Sequence, residues 1–239
     1  MLQVVGHLSL SGTPRIYSRS DTLVDMQKPR AIVFDIDGTL SPEVSWLALT
    51  RDLGAPVEQH IQIYKDYKEG KIDYEASKDQ LIGLWRATGN ANKAFFARLF
   101  DALPLDPAAE QVVHAAKVGH IVCLITGSVD LYAETVARKL GIDQWYANTT
   151  LHWGTDGSLV DMDYELDQAA KKLEQFGQFR QTNGLEAQDC YVVGDGENDE
   201  RLFEACEHGV LLGGDAKVQT HAWRRIALLA DFEQILQEH

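Results

Sequence analysis

Ala31-Ile32-Val33-Phe34-Asp35-Ile36-Asp37-Gly38-Thr39-Leu40 is the stretch that decides the fold. Its four apolar residues read as a buried strand, which gives way to two carboxylates two residues apart and then to a glycine turn. Side chains alternate along a strand, so Asp35 and Asp37 can leave its carboxyl end pointing the same way. That end faces the crevice where open parallel sheets bind ligands. A nucleophile and an acid/base would stand there side by side.

Two later segments have the same form. Ile121-Val122-Cys123-Leu124-Ile125 runs into Thr126-Gly127-Ser128, and Cys190-Tyr191-Val192-Val193 runs into Gly194-Asp195-Gly196-Glu197-Asn198-Asp199. The second brings another carboxylate pair to a strand end. Four clustered acids repel one another unless a cation sits among them, and a hard-oxygen donor set without cysteine or histidine suits magnesium. The Thr126 hydroxyl and the amides after it are placed to grip an anion near a helix start.

Between Asp37 and residue 105 the pattern is helical. Apolar residues recur at three- and four-residue spacing over 44–53, 57–69, 74–87 and 91–103, separated by Gly54-Ala55-Pro56, Glu69-Gly70-Lys71 and Thr88-Gly89-Asn90. From residue 106 helices and strands alternate: helix 106–118, strand 120–125, helix 129–140, strand 145–150. A hairpin over 151–164, turning at Thr155-Asp156-Gly157-Ser158, comes next, then a long helix over 166–181. Short buried strands are expected at 190–193, 209–212 and 226–230. The alternation predicts an α/β fold, a Rossmann-like parallel sheet wrapped by helices, with a small helical cap domain inserted after the first strand. The core would comprise 26–44 and 105–239 and the cap 45–104. Residues 1–25, in which Ser9, Ser11, Gly12, Thr13, Pro14, Ser18 and Ser20 interrupt any periodicity, read as a flexible N-terminal extension, with Met26 a candidate translation start.

Composition narrows the function classes. At 239 residues and 45% apolar content the chain can bury a sizeable core. Its net charge, 22 − 36 = −14, argues against nucleic acid as a partner. A small anionic substrate is compatible with that charge if local cations offset it. Cys123, Cys190 and Cys206 are too scattered for a metal site and read as buried thiols. No apolar run reaches a membrane span and no secretory signal is visible, so the expected compartment is the cytoplasm.

These three motifs and the lysine pair Lys171-Lys172, in their order, resemble the haloacid dehalogenase superfamily of phosphotransferases. The resemblance extends over roughly residues 31–230. It is closest to the phosphoserine phosphatase-like branch, on the all-helical cap with Tyr67-Lys68-Glu69-Gly70-Lys71-Ile72-Asp73-Tyr74-Glu75 and on Gly194-Asp195-Gly196-Glu197-Asn198-Asp199. It implies magnesium-dependent hydrolysis of a small phosphorylated metabolite, a phosphomonoester, through an aspartyl phosphate on Asp35. Asp37 would protonate the leaving alkoxide and then activate water. The implied metal ligands are Asp35, the backbone carbonyl of Asp37, and Asp195, with Asp199 supporting them. Thr126 and Gly127 would hold the phosphate together with a helical lysine: Lys172, which Leu173, Phe176 and Phe179 follow in the family's spacing, or Lys171. Phosphoserine phosphatases carry a substrate-binding glutamate nine residues after the nucleophile. Val44 stands there in this chain, and Glu43, one residue earlier, is the substitute to consider. Transfer of the phosphoryl group to an alcohol is the alternative reaction. A receiver-type signalling module and a catalytically idle phospho-ligand-binding protein fit the motifs less well.

Overall fold

The computed structural model describes residues 29–213 and 221–238; the expected extension at 1–25 and Met26 lie outside them. Seven strands form one sheet: β1 (Ala31–Phe34), β2 (Ile121–Val129), β3 (Gln144–Trp153), β4 (Leu159–Tyr164), β5 (Cys190–Gly194), β6 (His208–Leu212) and β7 (Arg224–Ile226). Their order is β4-β3-β2-β1-β5-β6-β7, and every neighbouring pair is parallel except β3 and β4. The chain builds outward from β1 to β4, then returns to the other side of β1 with β5. The reversal point therefore lies between β1 and β5, where open α/β sheets place their ligands.

β1 is central and buried on both faces, which is why its sequence is continuously apolar rather than alternating. Alternation nevertheless sorts the side chains. Ile32, Phe34, Val122, Leu124, Tyr191 and Val193 pack on one face. Ala31, Val33, Cys123, Ile125, Cys190 and Val192 pack on the other. The first face is covered by α5 (Ala109–Lys117), α6 (Asp130–Leu140) and α9 (Phe232–Glu238), the second by α7 (Gln168–Asn183) and α8 (Glu200–Ala205). Asp167 caps α7 by accepting from the Ala170 amide at 3.0 Å. The three cysteines are buried free thiols, and burial raises the pKa of each.

Between β1 and α5 lie four further helices, α1 (Ser45–Leu53), α2 (Val57–Lys68), α3 (Tyr74–Arg86) and α4 (Lys93–Ala102). Their interior is aromatic: Trp85 stacks on Trp46 at 5.9 Å and meets Phe96 edge-on, and Phe96 meets Trp153 of β3.

Three elements differ from the sequence expectation. The strand at 145–150 and the first arm of the expected hairpin are one ten-residue strand, β3, which pairs in parallel with β2 and then antiparallel with β4. β4 is also where the four helices attach: the Arg86 guanidinium donates to the Leu159 carbonyl at 2.7 Å, and the Tyr164 amide donates to the Tyr74 hydroxyl at 3.0 Å. β2 continues past Thr126 to Val129 through a shift in its pairing with β3, so Thr126 does not end it. The strand expected at 226–230 closes at Ile226, and a short 3-10 turn and α9 follow.

Candidate active site

The ends of β1, β5 and β2 and the first turns of α7 converge at the reversal point. The Asp35 amide donates to the Val193 carbonyl at 2.9 Å, which ties the end of β1 to β5 just before Asp195. Lys172 lies in the first turns of α7, with Phe176 and Phe179 buried further along the helix. Its ammonium is fully buried, 3.0 Å from Asp35 Oδ2 and 2.7 Å from Asp199 Oδ1. Burial works against that charge, but Asp199 and Asp35 outweigh it and raise the lysine's pKa. Lys171, its neighbour, turns to the surface and pairs with Glu174 at 3.0 Å.

Asp35, Asp195 and Asp199 each offer a carboxylate oxygen within 4.8 Å of the others. Burial pushes Asp195 up to about 7, and the neighbouring charges of Asp35 and Asp199 add to the shift. Asp199 is raised for the same first reason, with Lys172 opposing. With all three carboxylates ionised, as a bound cation would favour, they and the one ammonium carry two net negative charges, the complement of one divalent cation. Asp35 Oδ1 is moreover buried without a hydrogen-bond partner among the described residues. The donor set therefore fits a hard divalent ion.

Gly38 makes that cluster possible. Its φ of +76° favours glycine, and a Cβ built there would fall 2.0 Å from Asp195 Oδ2. Any side chain at 38 would displace the carboxylate. Gly194 has a similar role, since its Cβ would fall 2.3 Å from Asp199 Oδ2.

Asp37 stands apart from the lysine. Its Oδ2 accepts from the Ser45 hydroxyl at 2.7 Å, and Ser45 Oγ lies 2.5 Å from Ser128 Oγ. When Asp37 is ionised, the one proton of the Ser45 hydroxyl goes to the carboxylate and Ser128 is the donor within the serine pair. Burial raises Asp37 to about 7 against the effect of this hydrogen bond, with the Asp35 charge adding to the rise. The carboxyl group is thus poised to hold or release a proton near neutrality.

The remaining expected residues divide. Thr126 is buried beside this cluster's strand ends, but its hydroxyl already accepts from the Ser128 amide at 3.2 Å, so that amide is not free for an anion. Gly127 is closely covered: its carbonyl accepts from Trp46 Nε1 at 3.4 Å, and an added Cβ would fall 2.9 Å from Gln168 Oε1 and 3.2 Å from Asn198 Nδ2. Glu43 is held by Arg51 in a 2.8 Å ion pair. Sequence reading misses Ser45 and Ser128, because a serine at a helix start or in a glycine turn is ordinary and carries no pattern. It also misses Trp46, for which the spacing signals only a helix face.

These features define an α/β enzyme with an acidic, lysine-bridged site at the sheet's reversal point. The chain belongs to the haloacid dehalogenase-like hydrolase family, whose family model matches residues 32–204. It falls on the phosphoserine phosphatase-like branch. The phosphoserine phosphatase of Methanocaldococcus jannaschii is 28% identical over 182 residues, covering 74% of this chain and 82% of that protein. The phosphoserine phosphatase of Vibrio cholerae is 23% identical over 209 residues, covering 86% of this chain and 62% of that one. Among solved structures, a phospho-aspartyl intermediate analogue of phosphoserine phosphatase superposes with a TM-score of 0.69 at 25% identity, covering 89% of this chain and 99% of that chain. No helix among the described residues is long and apolar enough to cross a membrane.

Proposed function

We propose that the protein hydrolyses a small phosphomonoester through an aspartyl phosphate on Asp35, with magnesium as its metal. The observation that carries this reading is the buried Asp35–Lys172–Asp199 bridge beside Asp195, with Asp37 outside the bridge and near neutral pKa. Asp35 attacks phosphorus and the P–O bond to the leaving group breaks, while Asp37 gives its proton to the departing alkoxide. Asp37 then takes a proton from the water that attacks the aspartyl phosphate, which restores both carboxyl groups and releases phosphate. Lys172 fixes the orientation of Asp35 and neutralises charge on the transferring group, and Thr126 and Gly127 flank that group. The carboxylates of Asp35 and Asp195 and the backbone carbonyl of Asp37 would hold magnesium, with Asp199 behind them. The ion supplies further neutralisation of the phosphoryl oxygens. Ser45, backed by Ser128, keeps the Asp37 carboxyl in place.

The test is phosphate release from phenyl phosphate, glycerol phosphate and phosphoserine, with and without magnesium, for wild type and Asp35→Asn. Release that needs the metal and falls below a few per cent in the variant is expected, since an amide cannot replace the nucleophile. Comparable release from Asp35→Asn would overturn the mechanism.

A further inference from the structure

Beside this site, α1, α2, α3 and β4 line a partly open cavity of about 290 Å³ whose walls are mostly apolar and aromatic. Val44 and Trp46, the residues on either side of Ser45, both line it, while Ser45 itself touches Asp37. Trp46 reaches the other wall of the site as well, through its hydrogen bond to the Gly127 carbonyl, and Tyr164 closes on it edge-on at 5.7 Å. Asp35, Asp37, Lys172 and Asp195 do not line the cavity; it adjoins their site through Val44 and Trp46, on either side of Ser45. Ile61, Leu81 and Met162 line it further in.

Its electrostatics are those of a neutral container. Among the described residues that line it, Lys78 alone carries a full charge, and its ammonium is taken by Glu75 at 3.0 Å and Asp161 at 3.1 Å. His60 is buried against Thr50, 2.7 Å from its hydroxyl, and burial lowers its pKa to about 4, so it is uncharged at neutral pH. A zwitterionic or multiply charged leaving group would lose its hydration here without gaining an unpaired counter-charge. An apolar one would gain from every methylene buried.

We propose that this cavity receives the leaving group of the phosphoester, and that the group it takes is an uncharged alkyl or aryl alcohol rather than an amino acid. This rests on the phosphatase reading above and specifies its substrate class. Burial of successive methylenes in such a cavity should raise kcat/KM by roughly twofold or more each, until the cavity is filled.

The experiment is a magnesium-dependent series of 1-alkyl phosphates from ethyl to octyl, with phenyl phosphate and phosphoserine, on wild type, Val44→Glu and Asp35→Asn. Val44 is half exposed, so the substitution puts a carboxylate at the cavity without disturbing packing. The wild type should show a cumulative rise of at least about tenfold along the series, with phosphoserine below ethyl phosphate. In Val44→Glu the dependence on chain length should flatten. A flat wild-type series, or phosphoserine preferred to octyl phosphate, with release still dependent on Asp35, would overturn the cavity assignment and leave the phosphatase reading standing. Asp35-independent release, or none from any ester, would overturn both.

Discussion

The strand ends and the cap cavity lie side by side yet treat charge in opposite ways. At the strand ends Asp35, Asp199 and Lys172 are buried together, the ammonium 3.0 Å from one carboxylate and 2.7 Å from the other. Among the described residues that line the cavity, the single ammonium, Lys78, is paired with Glu75 and Asp161, and burial holds His60 uncharged. The first region is built for a phosphoryl group, the same for any monoester. The second is where we propose that the leaving group sits. On the two proposals above, chemistry and selectivity are carried by different elements, the parallel sheet on one side and the inserted helices with β4 on the other, which meet at Ser45.

The sharpest way to break this contrast is to remove the buried cation. Lys172→Met leaves the Asp35 and Asp199 carboxylates facing each other out of water, and should cost about 3–5 kcal/mol of folding stability in urea titrations. Lys171→Met, one residue away on the exposed side, should change it by no more than about 0.5 kcal/mol. Equal effects would mean that the buried bridge does not organise the site.

The converse is to put a charge into the neutral region. A histidine with a folded pKa near 4 and an unfolded one near 6.5 binds fewer protons when folded. Its contribution is complete above the unfolded value and is lost as pH falls through the window down to the folded one. For His60 that amounts to roughly 3 kcal/mol between about pH 7 and pH 4. Asp37 and Asp195, raised to about 7, act with the opposite sign, favouring the folded state as pH falls below that value. The informative quantity is therefore the difference between wild type and His60→Gln, whose stability gap should shift across this window. A gap independent of pH would show that His60 is not held neutral by the fold.

A smaller effect is expected at the turn between the regions. Gly38→Ser places a side chain where Asp195 Oδ2 now lies. Calorimetric magnesium affinity should fall about tenfold as the carboxylate is displaced. Unchanged affinity would remove Asp195 from the metal site.

How much of this is readable in the sequence follows from the range of the interactions. β1, β2 and β5 are visible because each is a short apolar run ending in glycine and a polar group, and burial on both faces enforces that run locally. The cap helices are visible because their packing repeats every three to four residues. The joining of 145–150 and the first hairpin arm into β3, with β4 antiparallel beside it, is not visible. Edge pairing depends on which surface the inserted helices leave to be covered, a contact between residues some 70 apart, such as Arg86 with Leu159. Lys171 and Lys172 differ only in the direction each faces on α7. Phe176 and Phe179 carry that information indirectly, as the buried stripe on which Lys172 falls. Ser45 and Ser128 meet only because the cap folds back onto β2, and nothing in either segment marks them. The cavity arises in the same way, from four elements that are each unremarkable alone.

The central claim is that Asp35 carries the phosphoryl group. Acid-quenching the wild-type enzyme during turnover of phenyl phosphate with magnesium, followed by peptide mapping, tests it most directly. The account predicts phosphate on the peptide containing Asp35 and none when Asp37 alone is offered in Asp35→Asn. Phosphate trapped on any other residue during productive turnover would contradict it.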